Sequence, residues 1–213
     1  MLNLYSEQKI YAVLARHAHC IETLSRRYGV PPACIKAIVW QEMRWMDILD
    51  IVADWLVRFY WARYTLRKRL QRLGLVKNPL PLLQMGILGK RDSSTGYAQI
   101  FSYVAINAIN FALDEGLADM ETPYRFAERR LLPSNPDDLR DAWYRLYRDP
   151  EFNLEAAALN LLYAAWEMAG KTQFSSLSET ELKMVFTRYN ANVRHVTGYG
   201  EAAYRVYLRF LKE

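Results

Sequence analysis

Glu42 occupies a position where an apolar side chain is expected. Ile35, Ile38, Val39 and Glu42 follow one another at i, i+3, i+4 and i+7, so the carboxylate continues the apolar stripe of a helix. A glutamate on such a face is costly unless it is paired or opens into a cleft. Partial removal from water raises its pKa, the property a general acid working near neutral pH requires. The competing reading is a side chain that reaches solvent at its helix end, or pairs with Arg44 or another basic residue. Two more polar groupings could serve the same site. Ser93-Ser94-Thr95-Gly96-Tyr97-Ala98-Gln99-Ile100 is a glycine-containing loop whose backbone can approach a ligand, and Gln99 both donates and accepts hydrogen bonds. Tyr189-Asn190-Ala191 follows a helical run, where Tyr189 taken singly reads as a core tyrosine.

These groups need elements to carry them, and the pattern predicts a mainly α protein. Helical periodicity places helices near 4–28, 32–47, 51–74, 97–115, 122–131, 137–148, 153–170, 178–190 and 199–212, with no long alternating strand. Gly29 ends the first and Pro31-Pro32 opens the second. Asn78-Pro79-Leu80-Pro81 marks a break, Leu88 to Gly96 a polar loop, and Pro133 to Asp138 a loop carrying a cap. Asn153 and Ser178 read as N-caps, Ser178 with Glu181 as a capping box. The 153–170 helix is rich in alanine and suited to close packing.

The composition agrees with one globular domain spanning 1–213. Of 213 residues, 52% are apolar, 24% charged and 14% aromatic, which excludes a disordered chain or a fibrous repeat. Cys20 and Cys34 are too few for a disulfide framework and lack metal-ligand spacing, so no metal is expected. The start of the chain has no secretory signal pattern. The apolar run Ile48 to Trp61 carries Asp50, Asp54 and Arg58, so no membrane span is expected.

Charge is concentrated in one place. Between Arg58 and Lys77 lie seven basic residues and no acidic one, leaving 21 basic against 23 acidic residues elsewhere. Interleaved Phe59, Tyr60, Trp61, Tyr64, Leu66, Leu70 and Leu73 make this an amphipathic basic helix. It reads as a solvated face, or as a contact surface for an anionic polymer, membrane headgroups or an acidic partner. No motif that reads nucleic acid accompanies it, so nucleic acid is not the expected partner.

Taken in order, the segments resemble the lysozyme-like superfamily of soluble lytic transglycosylases and goose-type lysozymes. Tyr28-Gly29-Val30-Pro31-Pro32 with Ile35-Lys36-Ala37-Ile38 and Glu42 is similar to that family's opening loop and catalytic-glutamate helix. Gly96-Tyr97-Ala98-Gln99-Ile100 resembles its Gly-Leu-Met-Gln-Ile segment, and Asn153-Leu154-Glu155-Ala156-Ala157 the start of its next core helix. Tyr189-Asn190-Ala191 resembles Tyr-Asn-Ala-Gly, and Tyr204-Arg205-Val206 the closing helix. Those blocks cover about a third of the chain. Met43 replaces the serine usual after the glutamate, Asn192 replaces the motif glycine, and 53 residues separate Glu42 from Gly96. The added 43–92 segment, with its basic helix, reads as an insertion that walls the cleft or docks a partner.

The resemblance implies a single lysozyme-like helical domain that cleaves the β-1,4 bond between N-acetylmuramic acid and N-acetylglucosamine of peptidoglycan. Glu42 is then the general acid, Ser94, Gly96, Tyr97, Gln99, Tyr189 and Asn190 contact the sugar, and no cofactor is needed. A muramidase also needs a carboxylate that activates water, for which Asp92 is the best placed in sequence. An enzyme of this kind without a signal peptide reaches the wall after lysis, as a phage lysin does, or as an antibacterial effector delivered by a secretion or injection machine. The basic helix would then meet that machinery or an inhibitory protein. A noncatalytic helical adaptor on the same frame, or a chitinase-type glycosidase, are the alternatives.

Overall fold

A computed structural model describes residues 4–75 and 91–212, so the expected break at Asn78 to Pro81, Lys77 and the Leu88 to Lys90 part of the loop lie outside the described residues. Within them the protein is mainly α. Its helices are α1 (Glu7–Arg16), α2 (Ala18–Tyr28), α3 (Pro32–Trp45), α4 (Ile48–Arg72), α5 (Ser102–Asp114), α6 (Pro136–Arg148), α7 (Pro150–Ala169), α8 (Glu179–Asn190) and α9 (Gly198–Phe210).

Local chemistry explains most boundaries. Gly29 closes α2 in the left-handed conformation, with φ 69°, and Pro32 stands in the first turn of α3, where its missing N–H costs nothing. Asn135 caps α6, and Ser178 with Glu181 forms the capping box of α8. Asp47 and Asp50 make a second capping box at α4.

Four boundaries depart from the sequence pattern. The 4–28 segment is two helices that part at His17, whose ring packs on Tyr97. The buried positions Ile10, Leu14, Ile21 and Leu24 stay in helical phase across the break, which hides it from periodicity. No helix forms at 122–131, where several side chains are drawn to different neighbours. Tyr124 donates to Asn110, Phe126 packs on Phe152, and Arg129 makes a forked pair with Asp138. The segment expected to begin a helix at Tyr97 first makes a tight turn, and α5 starts at Ser102. Finally, Asn153 is not an N-cap. Asp149 caps α7 with Pro150 in its first turn, and Asn153 is buried one turn further in.

The center of the molecule is α7. It is apolar nearly all round, and a helix of that composition must be covered on every side. Packing against α2, α3, α5, α6 and α8 provides the cover, and its alanines let those helices approach closely. α9 lies across α3 and α8. α4 is joined differently, through Val57, Tyr60 and Trp61, which meet Trp143 of α6 in a small separate core, and through an ion pair from Lys68 to Asp137. Cys20 and Cys34 are both free thiols, Cys34 deeply buried among apolar side chains. No helix among the described residues is long and apolar enough to cross a membrane.

Two helices approach closely at Gly200, where α9 meets α8. A Cβ there would lie 2.5 Å from the Lys183 carbonyl oxygen and collide with the Thr187 hydroxyl. Gly200→Ala is therefore expected to push α9 off α8 and lower stability by about 1–3 kcal/mol, as measured by urea unfolding.

Candidate active site

Glu42 stands in the last turn of α3, among Ile38, Val39 and Met43, all fully buried. Its carboxylate accepts a hydrogen bond from the phenol of Tyr199, on the first turn of α9. Burial pushes the Glu42 pKa up to about 7. The Tyr199 hydrogen bond opposes that rise, and the nearby charge of Asp50 adds to it. No ion pair involves Glu42 among the described residues, so the expected alternative of a pair with Arg44 is not what satisfies it. Tyr199 and Tyr189 are also enclosed beside this carboxyl group. Their burial and the Glu42 charge hold both phenols protonated well above the usual range.

Glu42 opens on a cavity of about 190 Å³. Ser94, Gln99, Tyr103, Asn160, Tyr189 and Asn190 supply polar groups to its wall, with Arg188 and Asn192 at the α8 end. Ile100, Phe101 and Val104 make the apolar part. Convergent polar groups in a partly apolar concavity beside a carboxyl of raised pKa are the usual marks of a binding site.

The loop that presents Gln99 is a tight turn, closed by a pair of backbone hydrogen bonds between Thr95 and Ile100, both 3.2 Å. Its shape is set from behind. The buried side-chain amide of Asn153 donates to the Thr95 carbonyl and accepts from the Ala98 N–H, both at 2.9 Å. Gly96, at φ 75°, lies so close to Asn153 that a Cβ would come within 2.5 Å of the Asn153 Cγ. Tyr189 adds a bond from its hydroxyl to the Ala98 carbonyl, 2.8 Å. Asp54 of α4 accepts from the Ser93 and Thr95 hydroxyls, at 2.7 and 2.9 Å, and Trp143 donates to Ser93. So restrained, the turn holds Gln99 at φ 42°, a left-handed conformation that is unfavourable for a residue with a side chain. Gln99 in turn donates to the Gly96 carbonyl at 2.7 Å.

Of the residues picked out in sequence, Glu42, Ser94, Gln99, Tyr189 and Asn190 meet at this cavity. Three others do not line it. Gly96 is the close-approach point against Asn153. Tyr97 turns to the other side of the loop and packs on His17. Asp92 sits at the start of α5, where it accepts from the Ser102 N–H, the Ser102 hydroxyl and the Tyr103 N–H at 2.8–3.2 Å. Those bonds favour the carboxylate form while burial opposes it, and the balance leaves the pKa raised. Asp92 is thus a cap for α5, with its oxygens engaged there. Asn192, in the place of the motif glycine, needs no left-handed backbone: among non-glycine described residues only Gln99 has a positive φ.

Sequence reasoning missed Tyr199, Asn160 and the clamping role of Asn153. Asn153 and Asn160 are seven residues apart in an alanine-rich helix, the same misplaced-polar signal that marked Glu42. Tyr199, between two glycines, carries no periodic signal. A second cavity of about 500 Å³ lies beside Glu155 on the α2 side of α7. There the buried carboxylate accepts from the Tyr28 hydroxyl and is paired with Arg27 and Arg125.

No protein-family model, curated protein or solved structure matches the chain.

The environment of Glu42 makes two tests. Its pKa is raised on folding, so wild type should lose stability relative to Glu42→Gln as pH rises from about 4.5 to about 7. The difference then levels at roughly 3 kcal/mol, measured by urea unfolding at several pH values. Tyr199→Phe removes the bond that favours the carboxylate and should move the Glu42 midpoint above 7, read by carboxyl NMR titration.

Proposed function

We propose that this protein is a divergent member of the lysozyme-like superfamily that cleaves the glycan strands of peptidoglycan, with Glu42 as general acid. One observation carries the reading: a carboxyl group with a pKa near 7, in no ion pair among the described residues, that opens on a cavity it shares with Gln99 and Tyr189. A noncatalytic adaptor has no use for an acid kept at that cost in an open cavity.

The chemistry runs as follows. Protonated Glu42 donates to the glycosidic oxygen as the C1–O4 bond between N-acetylmuramic acid and N-acetylglucosamine breaks, and an oxocarbenium-like centre develops at C1. The resulting carboxylate takes the proton of the muramic 6-hydroxyl as O6 closes on C1, which returns the acid and leaves a 1,6-anhydro end. Tyr199 steadies the carboxylate between the two proton transfers. Gln99, Asn160 and Asn190 offer amides to the acetamido and hydroxyl groups of the sugar.

The choice between transglycosylase and muramidase turns on a second acid. Among the described residues lining the cavity Glu42 is the one carboxylate, and Asp92 is occupied at the start of α5. A carboxylate to activate water is lacking there, which favours the internal 6-hydroxyl as nucleophile. The reaction, so written, needs no metal or organic cofactor. Its substrate partner is the glycan strand, and the protein would act at the cell wall.

Mass spectrometry of fragments released from purified peptidoglycan tests this. Wild type is expected to yield 1,6-anhydromuramyl ends, and Glu42→Gln to be slower by about 10³-fold. Turnover should fall as pH rises through about 7, because the acid is then lost. Reducing ends would replace the transglycosylase assignment with a muramidase, and absence of fragments from several wall types would overturn the glycosidase reading.

A further inference from the structure

Among the described residues, many of the exposed large apolar side chains lie on one helix. The inner face of α4 is spent on packing and on the loop, through Asp54, Val57, Tyr60 and Trp61. Its outer face carries Ile48, Val52, Trp55, Phe59, Leu66 and Leu73, which succeed one another at steps of four and three residues with Ala62 and Arg69 in the intervening places. These side chains are well exposed, Ile48 at 66%, Trp55 at 60%, Leu66 at 58% and Leu73 at 64%. Leu49 and Ile51 widen the stripe at its N-terminal end. Trp55 and Phe59 stack with centroids 5.9 Å apart, and the Arg63 guanidinium lies over Phe59 at 5.4 Å. An apolar stripe this long is unusual on a monomer's surface and marks an interaction face.

Charge selects the occupant. From Trp55 to Leu75 the helix and its end contain Arg58, Arg63, Arg67, Lys68, Arg69 and Arg72 and no acidic residue. A second copy laid along the same stripe would bring two helices that are basic and without acidic residues over this stretch against each other, a like-charge contact. A bilayer with anionic headgroups meets both requirements. It accepts an apolar face wider than the seam of a two-helix coil, takes tryptophan at the headgroup boundary and attracts flanking arginines. The 25 residues of α4 would lie in the membrane plane over about 37 Å.

We propose that α4 docks the protein on an anionic lipid surface, its outer face in the acyl boundary and Arg63 and Arg69 among the headgroup phosphates. Docking and site are then two sides of one helix, since the Asp54 contacts that hold the Ser93–Thr95 loop leave from its inner face. The inference is independent of the glycosidase reading, because it is tested on lipid without glycan.

The test is cosedimentation of the full chain with vesicles of phosphatidylglycerol and phosphatidylcholine, against phosphatidylcholine alone. Wild type should pellet with the anionic vesicles, and less so as salt is raised. The pairs Trp55→Ser/Phe59→Ser and Arg63→Glu/Arg69→Glu should each lower partitioning about tenfold or more. Thermal unfolding of both should stay near wild type, since these side chains are largely solvent-facing. The proposal is overturned if wild type stays in the supernatant with anionic vesicles, or if the apolar pair binds them as well as wild type. It is also overturned if sedimentation equilibrium finds a dimer that the Trp55/Phe59 pair abolishes.

Discussion

Taking a carboxyl group largely out of water is unfavourable, and the described structure is arranged around one that is half-buried where it opens on a cavity. Glu42 continues the buried face of α3 with Ile35, Ile38 and Val39, so it cannot turn away without unpacking the helix from the core. The only direct hydrogen bond to it among the described residues comes from Tyr199, itself enclosed. A phenol held protonated by burial and by the neighbouring carboxylate can donate but does not neutralise as an arginine would. The pair therefore preserves an acid that titrates near neutrality. An ion pair would have lowered that pKa and removed the acid.

The wall opposite Glu42 depends on a second exchange between layers. A polar turn has backbone groups that need partners, and the Thr95–Ile100 turn finds them in Asn153, a side chain buried within α7. Each is costly alone, and each satisfies the other. Gly96 is required because the approach leaves no space for a Cβ. The strained backbone of Gln99 persists because Asn153, Asp54 and Tyr189 restrain the same few residues from three helices.

α4 shows how one helix can serve two surfaces. Its acidic residues Asp47, Asp50 and Asp54 are used for its own cap and for the loop, so the outer face is left apolar and basic. The aromatic cluster of Trp61 with Trp143 fixes its rotation, and this decides which residues meet water. The same 3.5-residue spacing would read as core in a bundle. Here nothing among the described residues covers it.

How far the sequence reaches differs from element to element. Gly29, Pro32 and Ser178 mark helix ends by local chemistry, and the structure agrees at each. Glu42 was legible because a charge on an apolar face breaks a pattern, and Asn153 and Asn160 carried the same mark. Asp92 and Tyr97 stood in the right loop, yet three backbone and hydroxyl donors of α5 claim one and His17 the other. The break at His17 and the missing helix at 122–131 were hidden for a related reason: in both, contacts between distant residues override a local preference that is weak. By itself the sequence determined the helical class, the helix ends at Gly29, Pro32 and Ser178, the basic helix and the misplaced carboxylate, because each follows from residue type and spacing along one segment. Only the tertiary structure decided which polar side chains share the cavity with Glu42, that Tyr199 is its partner, and which face of α4 is left to water, because those depend on how separate helices are rotated against one another.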